Sequence, residues 1–205
     1  MMALDGHIVE RCVRRFDAAN SEDPNLEADG TPKELAYARR MSAWLDRLAP
    51  QAPEEVRLAV RAQHICRWKI PRTTYPSGRT GYLRWRRELG RFHADTAGAI
   101  MRECGVGAET VQRVQATIRK ERFRTDAWAQ TLEDVACLVF LDHYFEPFAA
   151  TQERPDMVRI LRKTWRKMSS AAHDAALTID YSAECASLLK EALGGGGQGQ
   201  RSRTR

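Results

Sequence analysis

Apolar residues recur at intervals of three and four along almost the entire chain, and nowhere do they alternate with polar ones over a strand's length. That spacing is the period of an α-helix, so the sequence predicts an all-α fold. Leu4, Ile8, Cys12 and Phe16 define a first amphipathic helix over 2–19. A polar run follows, punctuated by Pro24, Gly30 and Pro32. Thr31, Pro32 and Glu34 read as the N-cap, first position and capping-box partner of a second helix. Leu35, Ala38, Met41, Leu45 and Leu48 share its inner face. Pro50 and Pro53 stop it and open a third, with Val56, Val60 and Ile65 inward. Residues 70–79 hold two prolines, a glycine and no period, which marks a basic loop. A long helix is expected over 80–104, weakened by Gly81, Gly90 and Gly98, and Val111, Val114 and Ile118 mark the next. The stretch 126–148 is apolar nearly all round, as in a central buried helix. It is too long for the buried strand that Val135, Val139 and Phe140 alone would allow. Amphipathic helices near 154–168 and 182–193 complete a single helical domain over 1–193. Residues 194–205 form a Gly-rich basic tail with no means of packing a core.

A chain of 205 residues buries enough surface to fold without disulfide or metal staples. Its five cysteines, Cys12, Cys66, Cys104, Cys137 and Cys185, are odd in number and widely spaced, which points to reduced thiols and a cytoplasmic setting. No apolar run approaches the ~20 residues of a membrane span, and no secretory h-region follows the N-terminus. The mean hydropathy is −0.53. The net charge of +6 is unevenly placed. Residues 57–92 hold ten bases against the single acid Glu88, and the terminal RSRTR adds three more. Outside these two segments the chain is net acidic.

A concentrated basic segment predicts an anionic partner. Arg67, Lys69, Arg72, Arg79, Arg84, Arg86 and Arg87 are interleaved with Trp68, Tyr75, Tyr82 and Trp85. Arginine offers paired donors to phosphate or carboxylate, and aromatic rings offer planes for stacking a base or for packing a core. The candidate ligand-binding residues are Arg67, Lys69, Arg72, Tyr75, Arg79 and Arg86. Residues 162–167 repeat the same mixture of bases and tryptophan. Arg67 lies three residues after His64, so both can look into one site. His93 lies within the long helix, and Asp134 follows Glu133 near the start of the apolar one. Carboxylates in a first helical turn favour the macrodipole; on an apolar helix they otherwise need a partner.

The order of these residues resembles the HD-domain superfamily of all-helical metal-dependent phosphohydrolases over about 31–150. His64 stands where the histidine of that superfamily's His-Asp doublet falls. His93, followed by Ala97-Gly98-Ala99, looks like its third-helix histidine, and Asp134 like its late aspartate. The resemblance implies catalytic roles for His64, His93 and Asp134. It also implies a divalent-metal set (Mn, Fe or Zn) of Glu34, His64, His93 and Asp134. Two positions depart from the pattern: Ile65 replaces the doublet aspartate, and Glu34 or Tyr37 stands near the place of the first histidine.

A closer resemblance covers the chain short of its tail. The strings AQHICRWKIPR, YPSGRTGYLRWR, FHADTA, QTLEDVACLVFL and ILRKTWRKMS are similar to bacterial and fungal proteins grouped as domain of unknown function 4202. That resemblance implies relatives and no particular chemistry. Lys167-Met168-Ser169-Ser170 resembles the KMSKS loop of class I aminoacyl-tRNA synthetases, but the parallel sheet of those enzymes has no counterpart in this pattern. The expected function is binding of a phosphorylated small molecule or nucleotide, with metal-assisted phosphoester hydrolysis as the reaction. The alternative is a non-catalytic nucleotide- or RNA-binding module with a degenerate metal site.

Overall fold

The computed structural model describes residues 4–121, 123 and 125–194. Among these the fold is all-α, as the periodicity requires; the one extended pairing is an isolated bridge between Leu26 and Pro32. The chain groups into two compact units, residues 1–135 and 136–205. Residues 195–205, most of the expected tail, lie outside the described residues.

The first unit begins with α1, Gly6–Asn20, whose start is fixed by Asp5: the Oδ1 carboxylate oxygen accepts from the His7 backbone N–H at 2.9 Å. Helix α2 spans Lys33–Leu48, and here the expected cap is corrected. Pro32, not Thr31, occupies the cap position and no side chain of the local sequence caps it. Asp23, buried in the preceding loop, takes that role from a distance: its Oδ2 accepts from the Glu34 N–H at 3.1 Å, while Oδ1 holds the Asn25 backbone and side chain. Loop and helix start are thereby locked together, and Glu34 is set in place by its own backbone.

Helix α3, Glu54–Arg61, ends in Arg61, which ties three helices. Its Nε and Nη2 donate to both Asp17 oxygens of α1 at 2.8 and 2.6 Å, and Nη1 donates to Ser42 Oγ of α2 at 3.1 Å. Bidentate guanidinium–carboxylate pairs of this kind carry geometry as well as energy. Two 3₁₀ turns, Arg67–Lys69 and Arg72–Thr74, lead to α4, Gly78–Glu103, and then to α5, Ala108–Ile118. Val9, Cys12, Phe16, Leu58, Ile65, Met101, Val111 and Val114 interlock between α1, α3, α4 and α5 as one core. Gly98 lets α4 and α5 approach: a Cβ there would fall on the Gln115 side chain, whose Nε2 donates to Ala94 O at 2.9 Å. Asp126 caps α6, Ala127–Val139, accepting from the Trp128 and Ala129 N–H groups at 3.0 Å each.

In the second unit a π-helical turn, Phe140–Tyr144, passes into α7, Phe145–Ala149. Helices α8, Arg154–Trp165, and α10, Ala183–Gly194, pack together, clamped by Arg154 Nε to Glu191 Oε2 at 2.9 Å and Arg162 Nε to Ala192 O at 3.1 Å. Between them lies α9, Ser170–Ala176, a short helix without a clear apolar period of its own. Ser169 is its N-cap and Met168 is buried, so the KMSS string is a helix start. Trp165 stacks on His173 at 4.2 Å, and the imidazole Nε2 donates to the Trp165 carbonyl at 2.8 Å. No helix among the described residues is long and apolar enough to cross a membrane.

Candidate functional site

The end of α3 and the turn after it bring the sequence candidates together within the first unit. Ile65 is fully buried and anchors the turn. Cys66 adopts a left-handed φ of 52°, held by its N–H donating to the buried Asn20 Oδ1 at 3.0 Å. This reversal folds Arg67 back so that its Nη1 lies 3.2 Å from His64 Nε2. A guanidinium can only donate, so His64 Nε2 carries the lone pair and the ring proton sits on Nδ1. That Nδ1 faces Glu34 Oε2 at 3.7 Å, while Arg67 Nε stands 3.8 Å from Glu34 Oε1. Tyr37 lies flat against His64, rings 4.1 Å apart and 13° from parallel.

His93 enters from α4, its ring centre 5.7 Å from that of His64. Its Nδ1 lies 2.7 Å from the Ile65 carbonyl, which can only accept, so Nδ1 holds the proton. Nε2 is left as a bare lone pair, buried and without a hydrogen-bond partner. Glu34 Oε2 is a second buried polar atom without one.

Electrostatics follow from this burial. Desolvation pushes the Glu34 carboxyl up to about 7, against the pull of Arg67. Burial drives His93 down to about 4 and takes His64 well below its usual range. The positive charges of Arg67, Lys120 and Arg86 also bear on His64. At neutral pH both rings are therefore neutral.

Lys120 was not legible as a site residue. It follows α5 and forms an ion pair with the buried Glu133. Arg86 hydrogen-bonds Tyr82 through Nη1 at 3.3 Å, and the charge of Glu133 acts on it as well.

The remaining candidates divide. Arg67 and Arg72 line an open groove of about 290 Å³ with Glu34, Asp23, Asn25, Lys33, Trp68 and Trp85. Arg72, however, donates to the Tyr75 and Pro76 carbonyls at 2.9 Å each and thereby shapes its own loop. Tyr75 donates its hydroxyl to Glu88 at 2.6 Å, and Arg84 joins the same carboxylate at 2.8 Å. Trp85 is buried, its Nε1 donating to Ile70 O at 2.9 Å, which makes it a support beneath Arg67. Lys69 and Arg79 are exposed. Asp134 is buried on α6, its Oδ1 accepting from Gln130 at 2.9 Å. Among the described residues no group of three or more His, Cys, Asp and Glu side chains stands in metal-binding array.

No curated protein and no solved structure matches the chain. One family does, over residues 10–189, spanning both units and every residue of the site. The chain belongs to that family, described as Domain of unknown function (DUF4202).

Proposed function

We propose that the first unit binds a phosphate-bearing small molecule over the His64–His93 pair, with Arg67, Arg86 and Lys120 as its anion-binding groups. The observation that carries this reading is the surroundings of His64. Two neutral imidazoles stand among three cations, one of which donates directly to His64 Nε2. Such a site attracts anions, and guanidinium and ammonium groups are the donors that phosphate prefers.

The same surroundings fit a divalent metal poorly. His93 Nε2 and Glu34 Oε2 are ligand-type atoms without hydrogen-bond partners. But His64 Nε2 faces a guanidinium, and Ile65 puts a buried hydrocarbon where the HD-type doublet has a carboxylate. The charges that make protonation of His64 unfavourable oppose a metal cation in the same way. Phosphoester hydrolysis here would rest on Glu34, whose carboxyl near neutrality can both give and take a proton. The RNA reading is less well supported, because Trp85, one of the stacking planes the sequence offered, is buried.

Titration calorimetry with inorganic phosphate and with a panel of phosphorylated metabolites tests the proposal. Saturable one-to-one binding, weakened at least tenfold in Arg67→Met, is expected. A folded wild-type protein that binds none of them overturns it.

A further inference from the structure

Helices α4 and α5 end in the same way, and the comparison singles out Lys120. After α4, the Gly105 N–H donates to Arg102 O at 2.9 Å and the Val106 N–H to Met101 O at 3.0 Å. After α5, the Lys120 N–H donates to Thr117 O at 2.9 Å and the Glu121 N–H to Ala116 O at 3.0 Å. Both are Schellman caps, which need a left-handed residue at the turn and favour glycine there. The first uses Gly105 at φ 82°; the second uses Lys120 at φ 56°. A lysine in that position strains the backbone, and such strain gathers at functional sites.

The strained residue also has a fixed direction. Its ammonium pairs with Glu133, a buried carboxylate on α6, and lies close enough to His64 for its charge to act on that ring. Arg86 reaches the same neighbourhood from α4 and Arg67 from the turn after α3. Cys66, the other described non-glycine residue in the left-handed region, is the hinge that aims Arg67. Both strained positions thus serve one cluster.

We infer that Lys120 completes a three-cation clamp whose ligand ends in a doubly charged phosphomonoester, not in a singly charged phosphodiester. This rests on the phosphate-binding reading above and names its ligand class. The argument is one of charge. Lys120 and Arg86 share the carboxylate Glu133, Arg67 stands beside Glu34, and the two imidazoles are neutral. Glu34, raised to about 7, keeps its proton about half the time at pH 7, so between one and two positive charges are uncompensated. A terminal phosphate carries close to two negative charges near neutral pH and presents three oxygens, one for each cation. A diester carries one charge and leaves one cation unmatched.

The test compares methyl phosphate with dimethyl phosphate by calorimetry at pH 7 on the full chain. The wild type is expected to bind methyl phosphate at least tenfold more tightly. Lys120→Gly supplies the residue the cap favours while removing the ammonium, and is expected to lower methyl phosphate affinity at least tenfold with the melting temperature maintained. Should the unpaired Glu133 unfold that variant, Lys120→Gly combined with Glu133→Gln removes the buried pair together, and the same loss is expected. Equal affinities for the two esters, or full methyl phosphate affinity in a folded Lys120 variant, overturn the clamp. If those esters bind equally and Arg67→Met weakens both, phosphate binding stands and only the clamp fails. If neither ester nor inorganic phosphate binds, both readings fall.

Discussion

At the scale of single residues, the site is a balance of a half-buried carboxyl and a buried imidazole with opposite proton preferences. Glu34 has its folded pKa raised from 4.5 to about 7, so the native state holds its proton where the unfolded chain has lost it. That contribution to stability is full below pH 4.5 and disappears as pH rises through 7. His93 has its folded pKa lowered from 6.5 to about 4, so its contribution is full above 6.5 and is lost as pH falls through 4. Each amounts to about 3 kcal/mol, from 1.36 kcal/mol per unit. Between pH 4.5 and 6.5 the two slopes oppose each other, and the lowered pKa of His64 tips the sum toward acid lability. Glu34→Gln removes one slope without changing shape. Urea midpoints measured from pH 4 to 8 are expected to climb more steeply with pH in this variant, and to exceed the wild type at pH 8. A variant profile parallel to the wild type would show that Glu34 titrates alike in the folded and unfolded chain.

At the scale of elements, the glycines of α4 separate packing from propensity. A Cβ at Gly98 collides with Gln115, and one at Gly81 with the Pro76 carbonyl; Gly90 has nothing within 4 Å. Gly98→Ala is expected to destabilise by about 1–3 kcal/mol, the usual cost of overpacking. Gly90→Ala is expected to stabilise by about 0.5–1 kcal/mol, since alanine restores helix propensity without a clash. Thermal melts of the two variants should move in opposite directions; equal shifts would mean that α4 and α5 separate freely. The basic segment resolves at this scale too. Arg57 and Arg61 fasten α3 to its neighbours, and Arg72 and Arg84 shape the loop before α4 and that helix's first turns. Only part of the arginine excess therefore serves an anion.

For the whole molecule, the five cysteines are buried and none forms a disulfide, which makes the chain chemically quiet. Burial beside Cys104 pushes the Cys12 thiol up to about 12, and burial raises Cys66 as well. The thiolate is the reactive form, so the native protein should release almost no thionitrobenzoate at pH 8 within minutes, and five equivalents once denatured. A thiol that reacts in the native state within seconds would contradict this burial. By itself the sequence determined that the chain is helical, where eight helical stretches lie, and that His64 and Arg67 look the same way, because helical period and i, i+3 spacing are local properties; His93 joined them only through the HD-domain resemblance. The tertiary structure decided what those residues face. Asp23 caps α2 across 11 residues, Trp85 turns inward to Ile70, and Lys120 comes in from a left-handed cap to Glu133. None of these follows from period or spacing. Each depends on which distant groups burial brings together, and burial also sets whether an imidazole or carboxyl at that place keeps its charge.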